Sequence, residues 1–374
     1  MAASVTWQQI IRILIKAIFI FALCNLIFAL AYPLDFLASV SLYNHGLRGR
    51  ERLPYSENPA ASNSIRTDQI PAMLASHTLS AQSPAEYRVL LVGDSNTWGW
   101  FLPVEDSLGW QLEQQLAQSG ADVAVYNIGY PVLALLKDLM LMDAVLGTYD
   151  FDAIVWLVTL DSFLPEKQLI PPLVYNNPEA ARRLIDVYHL PLERDDPAFH
   201  DLSFWDKTLI GSRRELADLL RLQTYAFAWQ ATGIDQAIPA EIPLRKSDFE
   251  ASDLAWAGYK TPVDLQPQDL MFDGLAAGLH LAGDTPLYLI NEPIFISAGL
   301  HSELRYNSWY PRWAYDAYRL LLADWAAQAS LVYVDLWDAI AADHFTDSPV
   351  HLDAAGTEQL AHLLSNLLAD AMIK

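Results

Sequence analysis

Three residue types in this chain combine into one kind of chemistry. The apolar run Tyr87-Arg-Val-Leu-Leu-Val ends in Gly93-Asp94-Ser95 and continues as Asn96-Thr-Trp-Gly99. Much later, Asp347-Ser-Pro-Val-His351 puts a carboxylate and an imidazole on one short stretch. A serine hydroxyl is a weak nucleophile at neutral pH until a base takes its proton, and the base needs a third group to fix its tautomer. Ser95, His351 and Asp347 could supply those parts, with Ser95 as nucleophile, His351 as the base that takes and returns the proton, and Asp347 accepting from the other ring nitrogen. Gly93 and Gly99 allow the tight turn that would expose the hydroxyl. An ordinary helix-capping serine and a polar surface loop are the readings that involve no chemistry.

The intermediate of acyl transfer carries an oxyanion that needs preorganised donors. The Ser95 amide is one candidate, and the amide of Gly129, which follows a predicted strand, is another. A third would come from Thr159 or from Asn291, each at a predicted strand end. Asn96, Asn291 and the segment Arg305-Tyr-Asn-Ser-Trp-Tyr-Pro-Arg-Trp313 offer aromatic faces and polar rims suited to a sugar ring, with Tyr306, Asn307, Trp309 and Arg312 as substrate contacts. A packed aromatic helix start explains that segment equally well. Asp343, His344, Asp347, His351 and Asp353 crowd together and could ligate a divalent ion, but their spacing matches no closed ligand set. No metal and no cofactor is assigned, since no phosphate-loop, dinucleotide or zinc motif is found.

These residues resemble the SGNH or GDSL hydrolases. Gly93-Asp94-Ser95 with Gly99 resembles their first block, and Asn127-Ile128-Gly129 their second, whose glycine amide helps to bind the oxyanion. The segment from Asp347 to Gly356 resembles their last block, where Asp and His precede a C-terminal helix. The resemblance spans residues 86–374 as a scaffold, carried by a few short motifs. It departs from the pattern twice. The strand end Val158-Thr159-Leu160-Asp161-Ser162 lacks the family's oxyanion asparagine, and Asp347 lies four residues before His351 rather than three. The resemblance implies serine-dependent chemistry on acyl esters of lipids, small molecules or carbohydrates. Hydrolysis, transfer of the acyl group to a glycan hydroxyl, and a degenerate envelope-binding domain are the three functional readings it leaves.

Those residues need a scaffold. A chain of 374 residues can hold one elaborated α/β domain. Its 23 Lys plus Arg against 45 Asp plus Glu give a net charge of −22, which repels phosphate backbones and argues against nucleic acid as a partner. Cys24 is the single cysteine, so an intramolecular disulfide is excluded.

From residue 10 to 32 the chain is almost wholly apolar, interrupted by Arg12, Lys16 and Asn25, long enough for one membrane-crossing helix. Arg12 and Lys16 at its start favour a cytoplasmic N-terminus and an extracytoplasmic remainder. A cleaved signal peptide is the competing reading, because Ala29-Leu-Ala31 fits a cleavage pattern. Residues 33–86 read as a linker or membrane-proximal collar.

From residue 87 onward, strands are predicted at 89–92, 123–126, 153–158, 286–290 and 331–336. Helices are predicted at 107–118, 132–146, 311–328 and 354–373. This alternation implies right-handed crossovers and a flavodoxin-like, doubly wound parallel sheet. Residues 165–285 break the rhythm and read as an insertion over the active face, with a helix near 213–232.

Overall fold

Five apolar runs closed by turn residues become the strands of one sheet: β1 (Tyr87–Val92), β2 (Val123–Asn127), β3 (Ala153–Val158), β4 (Leu287–Asn291) and β5 (Val332–Asp335). The computed structural model describes residues 6–55, 67–81, 83–118, 120–233 and 238–372. Every pairing is parallel and the order is β2-β1-β3-β4-β5. That is the doubly wound, flavodoxin-like order, in which the chain's direction of winding reverses between β1 and β3 and leaves a crevice at their carboxyl ends. Ser95 follows β1 by three residues.

The described helices, in chain order, are α1 (Trp7–Ala31), α2 (Leu34–Ser39), α3 (Ile70–Ser76), α4 (Ser95–Trp98), α5 (Leu108–Gln118), α6 (Leu135–Leu146), α7 (Pro172–Tyr175), α8 (Pro178–Tyr188), α9 (Arg213–Thr232), α10 (Phe272–Ala282), α11 (Arg312–Gln328) and α12 (Ala354–Met372). Alternate residues of a strand face opposite sides, so a doubly covered sheet must bury both sets. Val89 and Leu91 of β1 join Leu112, Leu116, Leu360 and Leu364 on the face covered by α5 and α12. Leu90 and Val92 join Leu135, Leu139, Leu275 and Tyr318 on the face covered by α6, α10 and α11. Both sides of β1 are therefore rigidly packed, and the turn that carries Ser95 starts from a fixed point.

Residues 165–285, expected as an insertion with at least one helix near 213–232, carry α9 at that position and α7, α8 and α10 besides. α10 is part of the sheet's cover: a Cβ at its Gly278 would lie 2.2 Å from the Trp156 ring, so helix and strand meet there only because the side chain is hydrogen.

Residues 33–55 and 67–81, part of the stretch expected as a linker or collar, are packed onto the body. Leu53, Ile70, Met73 and Leu79 enter the main core, and Arg50 and Arg52 are wholly buried. Their guanidinium groups lie over indoles, Arg50 at 4.6 Å from the Trp229 ring and Arg52 at 4.4 Å from the Trp98 ring. Residues 56–66 of that stretch lie outside the described residues. α1 is long and apolar enough to cross a membrane, and only 11% of its most apolar window is buried against the rest of the chain.

Candidate active site

The turn after β1 presents its serine because everything around it is held. Asp94 caps α4 by accepting from the Asn96 amide at 2.8 Å. Gly99 closes that single helical turn at φ +94°, a left-handed conformation that glycine adopts without strain. Arg52 donates to the carbonyls of Gly99 and Leu102 at 2.8 and 3.0 Å, stapling the exit of the turn. Between Leu91 and Trp100, Ser95 is the only residue not fully buried.

His351 reaches it from the other end of the chain. Its Nε2 lies 2.7 Å from Ser95 Oγ, and its Nδ1 lies 2.8 Å from Asp347 Oδ1. An ionised carboxylate only accepts, so Nδ1 carries the ring proton and Nε2 is left to accept from the Ser95 hydroxyl. The four-residue separation of Asp347 and His351 is closed by a tight turn in which Ser348 Oγ accepts from the amides of Val350 and His351 at 3.3 and 3.1 Å. The Phe295 amide donates to Pro349 O at 2.7 Å, tying that turn to the chain leaving β4. Burial pushes the Asp347 carboxyl up, but the hydrogen bond and charge of His351, with bonds from its own amide and Thr346, outweigh it and hold the group below its ordinary value.

Beneath the serine lies a buried polar layer. Lys137 donates to the carbonyls of Gly93 and Tyr130, both at 2.7 Å, and pairs with Asp138 at 2.5 Å. Desolvation pushes the Asp138 carboxyl up to about 6 despite that cation. Glu292, one residue past β4, accepts from Asn96 Nδ2 at 3.3 Å. Burial, and next the Asp94 charge, raise its carboxyl well above the usual range. Asn96, the nucleophile's neighbour, is thus tied to Asp94 through its amide and to Glu292 through its side chain.

Of the oxyanion candidates, the Ser95 amide has no acceptor among the described residues. The Gly129 amide donates to Asn127 Oδ1 at 2.9 Å and is not a free donor in this conformation. A Cβ at Gly129 would lie 2.8 Å from Thr97 Cβ and 2.9 Å from the Trp98 amide, so close approach of β2's exit to α4 explains this glycine.

Asn291 and Thr159 do not face the serine. Asn291 is fully buried, donating to Asp335 at 2.8 Å and accepting from the Tyr318 hydroxyl at 3.1 Å. Thr159 is fully buried and points its hydroxyl at that of Tyr310. Both strand ends spend their polar groups on the core beneath α11.

The aromatic segment also proves structural. Arg305 is buried and donates to the carbonyls of Asn307, Ser308 and Trp309. Asn307 is fully buried, donating to Phe295 O and accepting from the Trp309 and Tyr310 amides. The Tyr306 hydroxyl donates to Asp316 at 2.7 Å, while Arg312 donates to Ser302 O and lies over the Tyr306 ring. Arg305, Tyr306 and Asn307 form a corner ahead of α11 whose side-chain polar groups are bonded internally, with Trp309 and Arg312 half-buried beside it. Asn96 alone among the proposed substrate contacts adjoins Ser95, and its amide is engaged by Glu292.

The acidic and imidazole groups near the C-terminus separate into two pairs. His344 pairs with Asp353 at 3.2 Å, apart from the Asp347–His351 pair.

Sequence reasoning missed three residues. Trp100 stacks on the His351 ring, and its own N–H has no partner among the described residues. Arg52 sits in the stretch taken for a linker. Glu292 adjoins Asn291, and the Asn-Glu-Pro ending of β4 drew notice only for its asparagine. The signal available for Trp100 was its place, one residue past Gly99.

No protein-family model matches this chain, and no curated protein matches it by sequence. Solved structures resemble it at the level of the fold. A carbohydrate acetylesterase family member from Sinorhizobium meliloti is 14% identical at a TM-score of 0.35, covering 75% of this chain and 97% of its own. A lipase/acylhydrolase from Enterococcus faecalis is 14% identical at 0.38, covering 75% and 95%. A member of the lipolytic protein G-D-S-L family from Veillonella parvula DSM 2008 is 10% identical at 0.34, covering 74% and 94%. The doubly wound parallel sheet is the fold that the resemblance to SGNH hydrolases implied, and serine, histidine and aspartate lie hydrogen-bonded in line at its carboxyl edge.

Proposed function

We propose that this protein is a serine ester hydrolase of SGNH type that cleaves O-acyl esters. Ser95 Oγ attacks the ester carbonyl, His351 Nε2 takes the hydroxyl proton and delivers it to the leaving oxygen, and Asp347 holds the imidazole in the tautomer this requires. Water then repeats the sequence on the acyl-enzyme. The observation that carries this reading is the continuous line Ser95–His351–Asp347, with contacts of 2.7 and 2.8 Å. The Ser95 amide is the first oxyanion donor. Gly129 becomes the second when its amide exchanges Asn127 Oδ1 for the oxyanion, so substrate binding completes the hole.

The substrate face is the aromatic wall at the nucleophile. Trp100 packs at a tilt against Phe101 and Tyr55, with ring centroids 5.2 and 5.9 Å apart, a surface suited to a flat apolar group or the C–H face of a sugar. α1 serves as a membrane anchor with its N-terminus cytoplasmic and the body outside, since Arg12 and Lys16 lie at its start. The full chain in detergent, assayed on p-nitrophenyl acetate and on an acetylated sugar, tests the reaction. Acetate release lost in Ser95→Ala supports the proposal, and release unchanged in that variant refutes it.

A further inference from the structure

Asn25 is the one amide side chain in the apolar run from residue 10 to the end of α1, and it is buried there by another part of the chain. Its side-chain carbonyl accepts from the Ile210 amide at 3.2 Å, while its amide group returns to Phe21 O at 2.9 Å. The turn that makes this contact is tightly built. Ser203 bonds Asp206 through both its amide and its hydroxyl, Thr208 folds back on Trp205 O, and Ser212 Oγ bonds Asp206 O. At its tip, however, Phe204 and Trp205 pack edge to face against each other and stand 46% and 75% exposed, with Ile210 at 49%. Beside them Lys207 lies 5.6 Å from the Tyr32 ring, just past the end of α1. α2, which starts two residues after Tyr32, adds Phe36 at 70% exposure.

Helix geometry fixes the depth of these groups. Asn25 lies six residues before Ala31, the end of α1, which is about 9 Å at the α-helical rise. The 25 residues of α1 span about 37 Å, longer than a hydrocarbon core of about 30 Å. A core of about 30 Å that begins at Arg12, on the cytoplasmic side, ends twenty residues later at Tyr32, so the side of the turn that carries Lys207 beside the Tyr32 ring lies in the headgroup region, with the Asn25–Ile210 contact just inside it. Aromatic rings with a neighbouring lysine are the side chains that favour that zone.

We propose that the turn carrying Phe204, Trp205 and Ile210, with Phe36 of α2, is a second membrane contact that seats the body of the protein on the outer lipid surface. This rests on reading α1 as a spanning anchor. The surface is continuous with the helix the bilayer would surround, so lipid covers it without a further partner. It converts a tether into a fixed mount and holds the Ser95 crevice at a constant orientation to the membrane.

The full chain, carrying Cys24→Ser and a single spin label at Trp205→Cys, Phe36→Cys or Ile15→Cys, is reconstituted into phosphatidylcholine vesicles. Collisions with oxygen and with a water-soluble nickel chelate are then compared. The expected result is oxygen collisions exceeding chelate collisions at 205 and 36 as well as at 15. Chelate dominance at 205 and 36 with oxygen dominance at 15 overturns the second contact and leaves the anchor standing, whereas chelate dominance at all three overturns both. Low collision with both reagents at 205, with dipolar broadening between labels, assigns the surface to a second copy of the chain and also overturns the proposal.

Discussion

The Trp100 indole lies over the His351 imidazole with ring centroids 5.5 Å apart and planes 30° from parallel. The proposed base is thus held along one edge by Asp347 and across one face by an aromatic ring that is itself fixed by the turn after Ser95, through the Trp100 amide's bond to Ser95 O at 3.0 Å. An aromatic face favours the imidazolium that forms as the serine proton moves. Trp100→Leu is expected to lower kcat about 3- to 10-fold, from the ~0.5–1.5 kcal/mol such ring pairs contribute, with Trp100→Phe retaining most activity. Steady-state kinetics on p-nitrophenyl acetate measures both.

Asp347 holds the tautomer that leaves His351 Nε2 unprotonated. Asp347→Asn is expected to reduce kcat by a factor on the order of 10³–10⁴. Because the three groups act as a unit, Ser95→Ala combined with Asp347→Asn should be no slower than Ser95→Ala alone. A multiplicative loss in the double variant would contradict concerted action.

Glu292 gives a pH dependence whose sign follows from its raised carboxyl. A group that binds its proton more tightly folded than unfolded contributes fully below its unfolded-state pKa of about 4.3, and that contribution declines as pH climbs toward the raised folded value. Glu292→Gln keeps an acceptor for Asn96 but does not titrate. Thermal melts from pH 5 upward should therefore show the wild type losing stability relative to Glu292→Gln as pH rises. Parallel curves would remove Glu292 from this role. Asp347, whose carboxyl is held low, works in the opposite sense: its contribution is present above the unfolded-state pKa and is lost as pH falls through the folded value.

The corner at 305–313 is assigned to stability, not to substrate. Asn307→Ala leaves buried backbone amides of Trp309 and Tyr310 without their acceptor, at a cost of about 1–3 kcal/mol for each such group. The melting temperature should fall while KM on the same ester stays within about twofold of wild type. A raised KM at unchanged stability would return this segment to the binding site.

Much of the scaffold could be read directly from residue order. Val89 to Val92, Ala153 to Val158 and Leu287 to Ile290 are apolar throughout, the mark of strands buried on both faces, and their alternation with helices sets the parallel topology. The serine, histidine and aspartate were legible because each sits beside a recognisable turn. What could not be read was the direction in which polar strand-end residues face. Asn291 and Thr159 occupy the expected positions, yet their side chains are taken by Asp335, Tyr318 and Tyr310, partners more than 25 residues away in every case. The stretch around Arg50 and Arg52 read as polar because its burial depends on indoles far along the chain, Trp229 and Trp98, which no local pattern announces.

Covalent capture of Ser95 tests the central claim most directly. The full chain in detergent is treated with a fluorophosphonate probe, and the modified peptide is identified by mass spectrometry. One equivalent of probe on Ser95, abolished in Ser95→Ala and strongly slowed in His351→Ala, is the result expected of a hydroxyl activated by the imidazole 2.7 Å away. A chain that folds normally and takes up no probe, or takes it up equally in both variants, would contradict it.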